Sequence, residues 1–578
     1  MIRPLVLLVL ALVLAACGTS HPPQETPDAA EVDHVSGGAV AADMVGAPAA
    51  APAPPQARGM AYTAPLSAGG QPMRAPDRDY NREGYAPIDE AGFKTVAATP
   101  LSTFSIDVDR ASYANTRRFL EDGRLPPPDA VRIEELVNAF DYGLPGPAAD
   151  GRGGHPFAVT TEVTEAPWAP DHHLVRIGLQ GRRVETDDLP PANLVFLLDV
   201  SGSMSAPDKL PLLQRAFRLL VREMRPQDRV AIVVYAGASG VVLEPTPGTE
   251  KGRILAALDR LQAGGATGGA EGLRLAYRVA REHFDAGATN RVVLATDGDF
   301  NVGVSSDAEM KRLVEQEREG GVMLSVLGFG TGNLQDSKME TLADHGNGNY
   351  AYIDGVREAE RVFVREFGGT LFAIAKDVKL QVEFNPARVA GYRLIGYENR
   401  TLAAEDFNDD RKDAGELGAG HTVTALYEVV PVGVAVPSAG VDALKYQAPR
   451  ESVRPDRPAR SGEWLTVSLR YKPATTAGTF ADESVRLAVP VAGGVVPLAQ
   501  ASEAGRWAVA VTEAGLLLRR SDHAPGASYD HALALARAAR GADPHGDRAE
   551  FVRLVETAAA LAATEGGAGT GGEVTLRD

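Results

Sequence analysis

The 578-residue chain has a single cysteine, Cys17, so no disulfide can form within it. Positive charge is also scarce. The 58 Lys and Arg stand against 76 Asp and Glu, giving a formal net charge of -18. This argues against nucleic-acid binding, because phosphate contacts need clustered Lys and Arg. It equally disfavours purely electrostatic attachment to an anionic membrane. The apolar run from Leu5 to Ala16 has twelve residues, fewer than the ~20 that a membrane-spanning helix needs. Catalytic signatures are missing too. Gly237-Ala238-Ser239-Gly240 falls short of G-x-S-x-G, and the Gly-rich stretch at Gly264 lacks the Lys-Ser/Thr of a phosphate-binding loop. No internal repeat at a fixed period is visible.

What remains is ordinary globular material. Hydrophobic residues make up 44% and charged residues 23% of a chain with room for three or four domains. Met1 to Pro4 is a short positive start, and the apolar run after it has the length of a secretory signal core. Its end, Leu14-Ala15-Ala16-Cys17, resembles a bacterial lipobox. The resemblance implies a signal peptide over 1–16, cleavage before Cys17 and acylation of that residue, which would anchor the chain in a membrane. Gly18 in place of aspartate resembles lipoproteins sorted to the outer membrane of the cell envelope. From Gly18 to about Asp77 the chain is rich in Ala, Pro and Gly and cannot bury a core, so a tether is expected over 17–99.

Residues 100–190 read as helices followed by strands. Ala111 to Asp122 and Val131 to Phe140 have helical spacing, with Glu134 and Glu135 free to face water, and Phe157 to Val184 alternates like strands. Residues 191–370 switch to an α/β rhythm. Leu194 to Leu198, Val230 to Val234, Arg291 to Ala295 and Met323 to Phe329 are apolar runs fit for parallel strands covered on both faces. Helical stretches lie between them, so the expected fold is a doubly wound parallel sheet. Strands return over 371–500, at Val378 to Phe384, His421 to Val430, Trp464 to Tyr471 and Val485 to Val489. Strands on both sides of the α/β stretch predict either one β-sandwich with an inserted domain or two separate β domains. A helical region over 501–563 and a Gly-rich tail over 564–578 complete the chain.

The first buried strand ends Leu198-Asp199-Val200-Ser201-Gly202-Ser203. Ligands of open α/β sheets bind at the carboxyl ends of the strands, which is where Asp199 falls. Ser201 and Ser203 are two apart and can point the same way. A second loop, Gly264 to Gly269, carries one hydroxyl at Thr267, and the third buried strand ends Ala295-Thr296-Asp297. All five side chains are hard oxygen donors of the kind magnesium and calcium prefer.

Asp199, Ser201, Ser203, Thr267 and Asp297 resemble the metal-ion-dependent adhesion site of von Willebrand factor type A (VWA) domains. The resemblance implies metal ligation by the two serines and the threonine, with the aspartates acting partly through water. It leaves one coordination position for a carboxylate from a partner protein. Magnesium is the first choice of ion, with manganese or calcium as alternatives. Asp107 to Asn115, Val131 to Glu135, Phe140 to Tyr142, Thr296 to Gly303 and Glu405 to Asp410 further resemble bacterial VWA lipoproteins of the YfbK type.

Other constellations read as structural. Asp406, Asp409, Asp410 and Asp413 lack EF-hand spacing and read as a solvated loop. Asp109 reads as a helix N-cap, with Asp107 beside it. Asp171-His172-His173 shows no third zinc ligand nearby. Asp299 is expected to orient the loop around Asp297. Trp168, Trp464 and Trp507 are expected in cores. The expected function is a membrane-anchored module that binds a protein partner through its metal. Alternatives are an envelope scaffold or assembly factor, or a metal-assisted hydrolase, although no catalytic constellation supports an enzyme.

Overall fold

The structure is a computed structural model, and it describes residues 83–106, 109–147, 154–265, 268–298, 300, 307–366, 372–412, 414–437, 462–475 and 480–568. The signal and lipidation reading at Cys17, most of the tether, the Gly-rich tail beyond Ala568, and Asp107, Thr267, Asp299 and Asp413 lie outside these residues. None of the described helices is long and apolar enough to cross a membrane.

The N-terminal elements are β1 (Lys94–Thr95), β2 (Leu101–Ser105), α1 (Ala111–Glu121), α2 (Ile133–Val137), β3 (Phe157–Glu165) and β4 (His173–Gly181). The α/β stretch follows as β5 (Ala192–Asp199), α3 (Leu210–Glu223), β6 (Arg229–Tyr235), β7 (Ser239–Pro247), α4 (Lys251–Asp259) and α5 (Gly269–Glu282). It continues with β8 (Thr289–Thr296), α6 (Asp307–Glu319), β9 (Val322–Phe329), α7 (Asp336–His345), β10 (Tyr350–Ile353) and α8 (Val356–Glu360). Then come β11 (Ala373–Phe384), β12 (Val389–Ile395), β13 (Thr401–Leu402), β14 (Leu417–Gly418), β15 (Thr422–Pro431), β16 (Glu463–Pro473) and β17 (Val485–Ala492). The C-terminal helices are α9 (Glu503–Arg519), α10 (Tyr529–Ala538) and α11 (Asp547–Ala568).

The α/β sheet runs β10-β9-β8-β5-β6-β7. Five strands are parallel, as the apolar runs predict, and β7 adds an antiparallel edge. Every residue of β5 is buried, because helices cover both of its faces. On one face α3 presents Leu213, Phe217 and Leu220 while Arg215 faces water. Burying side chains of this size stabilises by about 1.5–3 kcal/mol each. On the other face α5 packs Leu273, Ala276 and Tyr277.

The remaining strands form two sheets, ordered β1-β12-β15-β4-β3 and β13-β2-β11-β16-β17. Each mixes strands from before and after the α/β stretch. β2 pairs with β11, and β4 pairs with β15. Their facing side chains share one core, including Phe104, Val175, Leu380, Tyr427 and Val467. The α/β unit is therefore an insertion in one β-sandwich. Trp507 of α9, Phe140 and Phe551 of α11 build a separate aromatic cluster with centroids 5.2–5.4 Å apart. Trp168, Trp464 and Trp507 are all buried, as expected.

Three expectations need correction. Residues 83–99 do not behave as tether. Gly84 bridges to Gln335, β1 pairs with β12, and Phe93 packs edge-on against His172. These contacts are with distant residues, so local composition cannot reveal them. The helix expected over Val131 to Phe140 is only α2, and Glu134 and Glu135 are buried rather than wet. Glu135 accepts from Ser112 N at 2.7 Å and from Arg132 Nε. Asp109 does not cap α1, whose N-cap is Arg110 with no side-chain cap bond. It accepts instead from Tyr350 N at 2.7 Å and Arg400 at 3.2 Å, joining the helix entry to the inserted domain.

Candidate metal centre

Asp199 ends β5 and Asp297 directly follows β8, the neighbouring parallel strand, and both are fully buried. Asp199 is held from three sides. Its Oδ1 accepts from Ser201 N at 2.9 Å, and its Oδ2 accepts from Tyr235 Oη at 3.1 Å and Thr296 Oγ1 at 3.2 Å. Burial pushes its carboxyl above the usual range, and the charge of Asp297 adds to this. A carboxylate this crowded gains from a cation.

Ser201 and Ser203 converge as their spacing predicts, with hydroxyl oxygens 3.0 Å apart. Ser201 is buried while Ser203 and Gly202 are exposed, so the loop opens to solvent on one side. The second loop is laced to the first. Gly202 N donates to Gly265 O at 3.0 Å, and Gly264 N donates to Val200 O at 2.8 Å. This ties Gly264 and Gly265 to the serine loop, while Thr267 lies outside the described residues.

Asp297 differs from Asp199. Its Oδ2 accepts from Lys209 Nζ at 2.8 Å. Burial pushes its carboxyl up, but the hydrogen bonds from Lys209 and Asn333 and the lysine charge outweigh burial and hold it below the usual range. The same ammonium donates to Asn333 Oδ1 at 2.9 Å. Gly298, at φ +99°, lets the chain turn where a Cβ would come within 2.7 Å of Leu334 Cα.

The donor set fits a hard divalent cation. Two carboxylates and two hydroxyls meet at one sheet edge, and all are oxygen ligands. Among the described residues no group of three or more His, Cys, Asp and Glu could hold a metal, so an ion here would depend on the hydroxyls and water.

Lys209 and Asn333 escaped the sequence reading. The available signal was a lysine at the start of the helix that follows the serine loop. Other candidates resolve as structural. His172 Nδ1 lies 2.6 Å from Glu428 Oε1, which also accepts through Oε2 from Trp168 and Arg393. Asp410 is paired with Arg470 and Ser484. Asp406 lies 3.9 Å from Lys412. Asp409 accepts from Arg411 Nε at 3.0 Å.

Comparison with known proteins follows the same division of the chain. The family model "von Willebrand factor type A domain" matches residues 194–299, and "von Willebrand factor" matches 79–176. The model "Uncharacterized protein YfbK, C-terminal" matches 369–561. YfbK of Escherichia coli (strain K12) is 42% identical over 478 residues, covering 82% of this chain and 80% of its own. Human inter-alpha-trypsin inhibitor heavy chain H3 is 28% identical over 262 residues, covering 41% of this chain and 29% of its own. Among solved structures, a von Willebrand factor type A protein from Catenulispora acidiphila covers 69% of this chain and 89% of its own, at 16% identity and a TM-score of 0.38.

Proposed function

The chain belongs to the YfbK family of VWA-domain proteins, and from that premise we propose that it binds an acidic group of a partner protein through a divalent cation at the β5–β8 edge. The observation that carries this reading is the buried pair Asp199 and Asp297 beside two converging hydroxyls, at an edge open to solvent through Ser203. When bound, the ion, magnesium first and manganese or calcium otherwise, supplies a coordination position for an anionic oxygen. Asp199 is preset for this by the hydrogen bonds from Ser201, Tyr235 and Thr296. Ser201 and Ser203 offer neutral oxygens, so they add ligands without cancelling charge. Thr267 is assigned the same role from the motif. Two carboxylates balance the dication, and the Lys209 ammonium beside them leaves a net positive edge. That sign selects a carboxylate partner. Acylation of Cys17 would hold the body at a membrane of the cell envelope, proposed to be the outer one.

Affinity capture from detergent-solubilised envelope tests the reading, with the full chain as bait. It is run with magnesium, with chelator, and with Asp297→Ala and Ser203→Ala. A protein retained only by the unaltered, magnesium-loaded bait supports the proposal. The same proteins in every arm, or none, would move the scaffold role ahead of it.

A further inference from the structure

We propose that Lys209 is a tethered cation that occupies Asp297 in competition with the divalent ion and so keeps the site's metal affinity low. The inference rests on the reading of this edge as a metal site. Lys209 stands at the start of α3, six residues after Ser203, and its side chain is 9% exposed. Its ammonium spans Asp297 Oδ2 and Asn333 Oδ1 at 2.8 and 2.9 Å.

The fold makes room for this lysine. Gly330, just past the end of β9, has φ +74°, and a Cβ there would lie 2.3 Å from Lys209 Cγ. The aliphatic stem therefore runs over bare backbone to reach the edge. A lysine suits an exchangeable role. Its ammonium is a compact charge on a flexible stem, whereas an arginine fork would lock onto the carboxylate. Asn333 offers the ammonium a second acceptor when Asp297 turns toward another cation.

The charge balance gives the direction of the effect. Asp199 and Asp297 with Lys209 carry a net charge of one negative unit, against two without the lysine. A dication entering beside the Lys209 ammonium meets close-range repulsion. A partner carboxylate offsets that repulsion, so metal and partner strengthen each other's binding by the same factor.

The test is a calorimetric titration of the full chain in detergent with manganese alone, for the unaltered protein, Lys209→Met and Lys209→Gln. The glutamine variant can still donate to Asp297 and serves if the methionine variant does not fold. Loss of the ammonium is expected to tighten manganese binding at least tenfold. Equal affinities would overturn the proposal and leave the metal reading standing. Binding by the variants but not by the unaltered chain would support the tethered cation and overturn the metal reading. Binding by neither would overturn both.

Discussion

Asp336 and Asp297 are both fully buried aspartates of the inserted domain, but their surroundings differ. Asp336, at the start of α7, faces the rest of the body. It accepts from Arg132 of the preceding region and from Tyr350 Oη at 2.9 Å. The same seam holds Arg117 against Asp354, Glu358 and Glu550, and Arg400 against Asp109, Glu340 and Asp344. Every cation there is a guanidinium, permanently charged and shaped to grip carboxylates. Asp297, at the sheet edge, accepts instead from the ammonium of Lys209, beside the converging hydroxyls of Ser201 and Ser203. The seam pairs its carboxylates with rigid guanidinium forks, whereas the edge pairs Asp297 with a single flexible lysine, which suits the exchange of cations proposed for it.

The largest expected effect comes from breaking the seam. Arg132→Met leaves the carboxylates of Asp336 and Glu135 buried without their cation, and should cost about 3–5 kcal/mol. Chemical denaturation should show it. A loss below ~1 kcal/mol would erase the contrast between seam and edge.

A pH effect comes next. His421 lines a cavity with Asp109 and Glu358 of the seam, and its Nε2 is shut off from solvent with no hydrogen-bond partner among the described residues. Burial lowers its pKa to about 4 from the ordinary 6.5. Between those values the unfolded chain binds the proton and the folded chain does not, so stability falls as pH drops from about 6.5 to 4. The loss should approach roughly 3 kcal/mol at pH 4. His421→Leu should flatten this part of the stability curve, and an unchanged slope would refute the assignment.

Gly330→Ala forces a left-handed backbone on alanine and pushes its methyl into the Lys209 stem. It should cost about 1–3 kcal/mol and raise manganese affinity by displacing the ammonium. Lower affinity would mean that the lysine supports the site. The smallest effect is at Glu83, whose carboxylate accepts from Gly332 N at 3.0 Å and from Arg118 at 2.9 Å. Glu83→Ala should cost about 1–2 kcal/mol and speed amide exchange in the loop that carries Asn333.

The inserted domain was the legible part. Its parallel strands are unbroken apolar runs, so periodicity was enough to find them, and spacing placed Asp199 and Asp297 at neighbouring strand ends. β7, β10 and β12 were not seen. β7 contains Pro245 and Pro247, β10 has only four residues, and β12 is broken by Gly391. The two possibilities left by the flanking strands could be separated only by pairing, since β2 meets β11 across the whole inserted domain. At the site, the convergence of Ser201 and Ser203 was readable. The role of Lys209 was not, because its contact with Asp297 spans 88 residues. Asp109 misled because a helix-start aspartate reads as a cap until its distant partners are known.

The most direct test of the account is amide hydrogen exchange of the full chain with and without magnesium. Slowed exchange confined to peptides covering 199–205, 264–268 and 297–298, and lost in Asp199→Asn, is the predicted result. No change, or protection elsewhere with these peptides unaffected, would contradict a divalent cation at this edge.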